Sequence, residues 1–414
     1  MKKKKPFYGW AITGMGTLGN VFQGGLIFWS MGMYTSTFED HFGASRTRIT
    51  LIETFLSVGT NVLSPLVGMY VDKKSARHVM TAGMVSLGLG LVVLSQAGSL
   101  LSVWATFALL IPFGAVAIGV LPSATLISRW FRKRRGFALG INVTGTSIGG
   151  AIAPPLLAWM FIVYGWRSAL LVLGLVVLAF APVFWKVIAN YPEDMGLEQE
   201  EEGDDADFDL TEADSHDWSI RQLFRTKAFW LQTLITACML GVTLGLLANL
   251  SLHAKDLGFS GPQTGALYST IAFLSGVGKI GFGWLIDRIG VRKSGLISVA
   301  LMITGLAMLA NAESFGPVYA AAFVIGCATG GVAPTWVNLI ARGFGARSVG
   351  RAMGVMNPLH IPITAPSAPL AGYISDTTGS YTLVFMIFIG MMVVAGICLA
   401  VVGKPVPTKA GVSA

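Results

Sequence analysis

A lone cation inside a long apolar run is the residue of this chain best suited to hold an anion. Lys279 lies in the run near 263–286, and the four positions before it read Ser275-Gly-Val-Gly, without an acid. A lysine at the centre of a bilayer costs about 2.5–3.5 kcal/mol on insertion scales, so its presence calls for a function or an escape route. Snorkelling is the escape route, but Asp287 marks the end of the run eight residues on, about 12 Å of helix, beyond a lysine's comfortable reach. Tyr268, Ala272, Ser275, Lys279 and Phe282 follow i+3/i+4 spacing and predict one wet helix face with the tyrosine above the lysine.

His360 is the second candidate. It lies in Asn357-Pro-Leu-His-Ile-Pro-Ile-Thr-Ala-Pro-Ser-Ala-Pro369, where four prolines free backbone carbonyls within a spanning segment. An imidazole with an ordinary pKa of about 6.5 suits a proton site, and it equally suits a hydrogen-bonded packing residue. In the first apolar run Asn20, Gln23, Ile27, Met31 and Tyr34 share one face, polar at one end, that could line a cavity. Asn142, Asn249, Trp336, Asn338 and Asn357 are further lining candidates, although a single amide in a span more often bonds to a neighbouring helix. Glu53, near one end of the second run, reads as an interfacial carboxylate or as a proton entry.

Two enzyme-like strings carry no chemistry. Gly145-Thr-Ser147-Ile-Gly149 fits GxSxG but lies inside an apolar run, with no strand before the serine. Glycines 136, 140, 145 and 149 instead give the small-xxx-small spacing of close helix packing. Gly276-Val-Gly-Lys279 lacks the rest of a phosphate loop. Cys238, Cys327 and Cys398 all sit in apolar runs without CxxC spacing, so neither a metal nor a disulfide framework is expected, and no cofactor.

The elements that position these residues are membrane helices. Of 414 residues 53% are hydrophobic and 12% charged, far below the roughly 25% charged residues of a soluble domain. A net charge of +8 would suggest nucleic acid, but the basic residues fall in short clusters between apolar runs, which removes that partner. The start, Met1 to Lys5 before an apolar run to Met33, is too long for a signal peptide and reads as a retained span. Stretches long enough to cross about 30 Å of hydrocarbon lie near 8–36, 49–71, 79–97, 101–128, 136–162 and 168–189. A second set lies near 228–252, 263–286, 294–312, 316–341, 349–374 and 381–403.

With twelve spans both termini share one side, and that side collects 24 of the 29 Lys and Arg, so the termini are expected in the cytoplasm of an inner (plasma) membrane. The halves repeat. Gly68-Met-Tyr-Val-Asp72-Lys-Lys-Ser-Ala-Arg77 answers Gly283-Trp-Leu-Ile-Asp287-Arg-Ile-Gly-Val-Arg292 at an offset of 215 residues, and Arg129 to Gly140 answers Arg342 to Gly354. The expectation is an all-α membrane protein of two pseudo-symmetric six-helix bundles, 1–190 and 228–414. Between them 191–227 is an acidic linker whose stretch from Glu193 to Asp217 holds 13 of the 21 acids. A monomer is expected.

The loop pattern Gly-x-x-x-Asp-(basic)-x-x-x-Arg resembles the signature of the major facilitator superfamily, and the resemblance covers the whole chain. Tyr8-Gly-Trp10, Tyr34-x-x-x-Phe38-x-x-x-Phe42-Gly43, Ser128-Arg-Trp-Phe131 and Arg135-Gly136 resemble the monocarboxylate porters and oxalate–formate antiporters within it. That resemblance implies alternating access rather than enzymatic activity, a small organic anion as substrate with a proton as partner, and a latch formed by Asp72, Arg77, Asp287 and Arg292. It also assigns the substrate carboxylate to the cation eight residues before Asp287, which is Lys279. The family usually has Arg followed by Pro there, so Lys279-Ile280 replaces a bidentate fork by a point charge. Matching from Gly354 puts His360 where oxalate carriers have a second cation, and Val120 and Ala333 where they have cavity aromatics. A lactate-like monoanion is therefore expected, with oxalate–formate-type exchange as the alternative. A proton-driven drug exporter would carry Gly-Pro-x-x-Gly-Gly where this chain reads Gly149-Gly-Ala-Ile-Ala-Pro154-Pro155.

Overall fold

The computed structural model describes residues 7–131, 134–197, 218–344 and 349–403. Among them there is no strand. The first half contains α1 (Gly9–Gln23), which passes through a π-helical turn (Gly24–Phe28) into α2 (Met31–Phe42), then α3 (Arg46–Lys73), α4 (Ala76–Ser95), α5 (Leu100–Ile118), α6 (Val120–Trp130) and α7 (Arg135–Val187). The short α8 (Ile220–Arg225) leads into α9 (Lys227–Asp256), α10 (Gly261–Ile289), α11 (Val291–Ala310), α12 (Phe315–Gly330), α13 (Val332–Phe344), α14 (Val349–Thr378) and α15 (Thr382–Val401).

Nine helical stretches among the described residues are long and apolar enough to cross a membrane. One of them, Phe137–Val187, would be about 77 Å long if straight, more than twice a hydrocarbon layer. It turns at Gly165, whose φ of 76° and ψ of 154° suit glycine, and so contains the two expected segments 136–162 and 168–189. The expected segments 8–36 and 349–374 are helical too, the first interrupted at its π turn and the second carrying Pro358, Pro362, Pro366 and Pro369.

Glycines set the closest approaches. A Cβ on Gly145 would run into the Thr17 carbonyl, and one on Gly149 into the carbonyl of Val21 and the amide of Gly25. The backbones of α1 and α7 are therefore in direct contact, as small-xxx-small spacing implies. Gly140 faces open space and takes no part.

The prolines have a different consequence. Pro369 has no N–H to offer Ala365, the carbonyl four residues back, and that carbonyl accepts instead from Thr54 Oγ1 on α3 at 2.5 Å. A break in one helix thus becomes a bond to another.

Two apolar clusters dominate the interior. The first draws nearly all its members from Ile12 to Ala189, with Ala248 and Ala368 added. The second draws on Ala228 to Val402, with Trp29, Met33 and Ala158 added. Those few exchanged residues mark the seam between halves, where α3 meets α14 and α7 meets α10. Of the linker, the acidic stretch 198–217 lies outside the described residues. Its far end, Trp218 and Leu223, packs with Phe229, Ile340, Phe344, Ala352 and Met356 on the second half.

Candidate functional site

Lys279 sits half-buried on α10 where that helix crosses α7. Its Nζ donates to Thr146 Oγ1 and Ser147 Oγ, both at 3.1 Å. No carboxylate among the described residues pairs with it. The approach depends on small neighbours. A Cβ on Gly276 would stand 2.9 Å from Ser147 Cβ, and one on Gly278 2.9 Å from the Cys327 carbonyl. The string Ser275-Gly-Val-Gly thus lets α10 lie against α7 and α12 and brings the ammonium to the seam. The same GxSxG string that resembles a nucleophile elbow supplies the two hydroxyls, and nothing in its own sequence pointed to a lysine 132 residues away.

These hydroxyl contacts lie at the limit of a longer seam. Thr35 Oγ1 donates to the Ala248 carbonyl at 2.8 Å, Ser251 Oγ to that of Gly32, and Ser269 Oγ to that of Ala151 at 2.8 Å. Ser57 and Thr364 hydroxyls meet at 3.3 Å. All lie between Lys279 and the face of the molecule opposite the termini.

The opposite face is closed by charge. Arg46 Nη1 lies 2.6 Å from Asp256 Oδ2 and 3.0 Å from Ser375 Oγ, while its Nε lies 2.9 Å from Glu39 Oε1. Lys255 Nζ donates to Glu39 Oε2 at 2.8 Å and to Asp40. Asp376 accepts the backbone N–H groups of Arg46 and Thr47 at 3.1 and 3.0 Å, so a carboxylate of the second half caps the start of α3. Replacing Arg46 with alanine leaves Asp256 facing Glu39 without a cation between them. Of its two ion pairs only that with Asp256 crosses between the halves, and a partly exposed pair contributes up to about 1 kcal/mol, so its loss is expected to favour the parted form of this face up to about fivefold. Distances between spin labels on the two halves would report the shift.

Most of the remaining sequence candidates spend their polar atoms on partners other than Lys279. The Tyr268 hydroxyl donates to the Leu247 carbonyl, and Tyr268 stands about 16 Å along α10 from the lysine. Tyr34 donates to Leu26 O at 2.6 Å, and Ile27 is buried in the π turn. Asn142 donates to Ser123 Oγ at 2.9 Å and accepts from Asn20 Nδ2 at 3.0 Å, a polar clasp within the first half. His360 is 2% exposed, with Nε2 2.8 Å from Thr236 Oγ1 and its ring 5.9 Å from that of Trp336. Trp336 Nε1 is buried without a hydrogen-bond partner. Gln23, beside the break at Gly119, and Asn357 are half-buried amides with no partner among the described residues. Thr146, Ser147 and Thr236, absent from the sequence candidates, are the hydroxyls that the cation and the imidazole actually use.

Of the gating set, the Asp72 side chain lies outside the described residues. Arg77 donates from Nε to the Ile188 carbonyl and from its backbone to Asn190 Oδ1 at 3.1 Å, tying the start of α4 to the end of α7. Asp287 is exposed, and Arg292 lines a cavity of 440 Å³ with Gln232 and Arg342 at the terminal end of the second half.

A family profile described as Major Facilitator Superfamily matches residues 16–364 and 246–413. Monocarboxylate transporter 11 of Homo sapiens is 27% identical over 410 residues, covering 94% of this chain and 81% of that protein. Monocarboxylate transporter 13 of Rattus norvegicus is 25% identical over 399 residues, covering 94% and 87%. Among solved structures, a bacterial homologue of the human lysosomal transporter Spinster, inward-facing and unoccupied, superposes with a TM-score of 0.69 over 97% of this chain and 96% of its own. At 14% identity that likeness concerns the fold.

Proposed function

The chain belongs to the Major Facilitator Superfamily and is a multi-pass membrane transport protein rather than an enzyme, and on that premise we propose that it carries a small, lactate-like organic monocarboxylate by alternating access, coupled to protons. Its two six-helix bundles, 1–190 and 228–414, rock about the seam, with the termini in the cytoplasm of the plasma membrane. The observation that carries the reading is Lys279, a cation at the meeting of the halves whose only partners among the described residues are two neutral hydroxyls. An ammonium in that place gains most from an anion that enters between the bundles. Gln23, Asn357 and Trp336 keep unpartnered polar groups for the substrate's other atoms. Ile27, Tyr34, Tyr268 and Asn142 support the walls from behind.

The cycle follows from what each partner does to Lys279. Without substrate the hydroxyls of Thr146 and Ser147 hold the ammonium against α7. A carboxylate neutralises it and takes its place between the halves, so that the seam re-forms on the other side without a stranded charge. Asp72, Arg77, Asp287 and Arg292 belong to the cytoplasmic latch of the alternate state. Two-anion exchange of the oxalate–formate kind calls for a second permanent cation, and here stands His360, a titratable ring buried with Nε2 on Thr236, which favours a monoanion.

Counterflow in proteoliposomes loaded in turn with lactate-like, oxalate-like and aromatic acids is the test. Labelled lactate should accumulate against unlabelled monocarboxylates and not against oxalate, more strongly with acid outside. Counterflow driven by oxalate alone would overturn the substrate class, and acid-independent accumulation the coupling.

A further inference from the structure

Glu53 belongs neither to the ionic closure nor to the bonds around Lys279. It lies on α3 seven residues from Arg46, about 10 Å in from the face opposite the termini. It is 3% exposed, and it is the only acid among the buried polar residues described. No hydrogen bond or ion pair reaches its carboxyl among the described residues. This is not the interfacial carboxylate that its sequence position suggests.

Its surroundings belong to the seam. Thr54, the next residue, bonds to Ala365 O, and Ser57, one turn on, meets Thr364, both on α14 of the second half. Ile49, Ile52 and Leu56 share an apolar cluster with Ala248 of α9 and Ala368 of α14. The charged and titratable groups of the elements packed on α3 are all engaged or distant. Arg46, Glu39, Asp40, Lys255, Asp256 and Asp376 form the ionic closure about two turns away, beside His41 and His253. On α14, His360 is bonded to Thr236, and α5 has no titratable group. Arg77 and His78 of α4 and Arg129 of α6 lie toward the terminal end of their helices.

A bare carboxylate without partners in such a place is strongly disfavoured, and a neutral carboxyl much less so. We propose that Glu53 is the proton-binding site of the transport cycle, loaded from the external side before α3 and α14 can close. With the halves parted on that face, the carboxylate stands in water. One proton from external water converts it to the carboxylic acid, its charge passes from −1 to zero, and closure then buries a neutral group. A substrate anion on Lys279 balances the remaining charge. The inference rests on the alternating-access reading and is independent of which anion Lys279 holds.

The closed form then holds one more proton than the open form, so each unit of rising pH above the open-state pKa lowers the closed-to-open ratio tenfold. Spin labels on Leu101→Cys and Asn311→Cys, exposed positions on opposite halves, with Cys238, Cys327 and Cys398 replaced by serine, read that ratio in nanodiscs without substrate. Between about pH 5 and about pH 8.5 the parent should lose its closed distance, whereas Glu53→Gln should keep it at every pH. At the alkaline end the Gln form should be at least about tenfold more closed than the parent. Glu53→Ser, a smaller neutral variant, should also stay closed, whereas Asp40→Asn and Lys279→Gln, which each remove a contact between the halves, should shift the ratio but keep the parent's fall with rising pH. A Gln and a Ser form that both retain the parent's pH curve would overturn the proposal, since the titration would then belong to the ionic closure.

Discussion

Lys279→Gln is expected to abolish carrier-mediated monocarboxylate uptake while leaving the protein folded. Glutamine keeps an N–H donor that reaches toward Thr146 and Ser147, so the α7–α10 crossing survives, and only the charge is lost. Truncating one partner of a desolvated charge pair costs about 2–5 kcal/mol, equivalent to a loss of roughly thirty-fold to several thousand-fold in substrate affinity. Initial rates in proteoliposomes, alongside thermal stability in detergent, separate loss of binding from loss of fold. Lys279→Arg should restore part of the uptake, because a guanidinium still holds a carboxylate although it presents a planar fork in place of a point charge. Wild-type rates in the Gln form would end the assignment of this residue to the substrate.

The second large effect concerns structure. Gly149→Val places branched carbons against the Val21 carbonyl and the Gly25 amide, backbone atoms that cannot swing aside. Overpacking a close interface commonly costs about 1–3 kcal/mol, and a rigid helix contact falls at or above the top of that range. The variant should yield little monodisperse protein and a Tm well below wild type. Gly140→Ala is the matched control, since nothing lies within 4 Å of its added Cβ, and its Tm should stay close to the parent's. Because Gly→Ala favours the helix by itself, equal losses in both would mean that the α1–α7 contact does not set the result.

Much of this was legible in the amino-acid sequence, for identifiable reasons. Spans announce themselves by length and composition, and Lys279 by being charged where charge is expensive. Lysine's partners did not. Thr146 and Ser147 reach it across a seam between segments far apart in sequence, and a helical serine in an apolar run looks the same whether it bonds its own backbone or a foreign ammonium. Tyr268 illustrates the opposite error. Its i+3/i+4 register with Lys279 is real, but register gives a face and not a depth, and the hydroxyl ends on the Leu247 carbonyl. Tyr34 and Asn142 likewise spend their polar atoms on their own half. The ionic closure was invisible because Glu39, Arg46, Asp256 and Asp376 come from four separate helix ends, each of which alone reads as ordinary solvated charge.

The hydroxyl-to-carbonyl bonds along the seam bear on how reversible the motion can be. Gly32 and Ala248 lie inside helices whose own N–H groups already serve those carbonyls, so the foreign hydroxyl there is an additional guest, whereas Ala151 and Ala365 stand four residues before Pro155 and Pro369 and accept from Ser269 and Thr54 instead. When the bundles separate, the carbonyls of Gly32 and Ala248 keep their helix partners, those of Ala151 and Ala365 turn to the water that enters the cleft, and each freed hydroxyl can fold back on a carbonyl of its own helix or turn to water. Such a joint has almost no memory. It can be made and unmade at every turnover without a deep well on either side, as a carrier that must visit both orientations at comparable frequency requires.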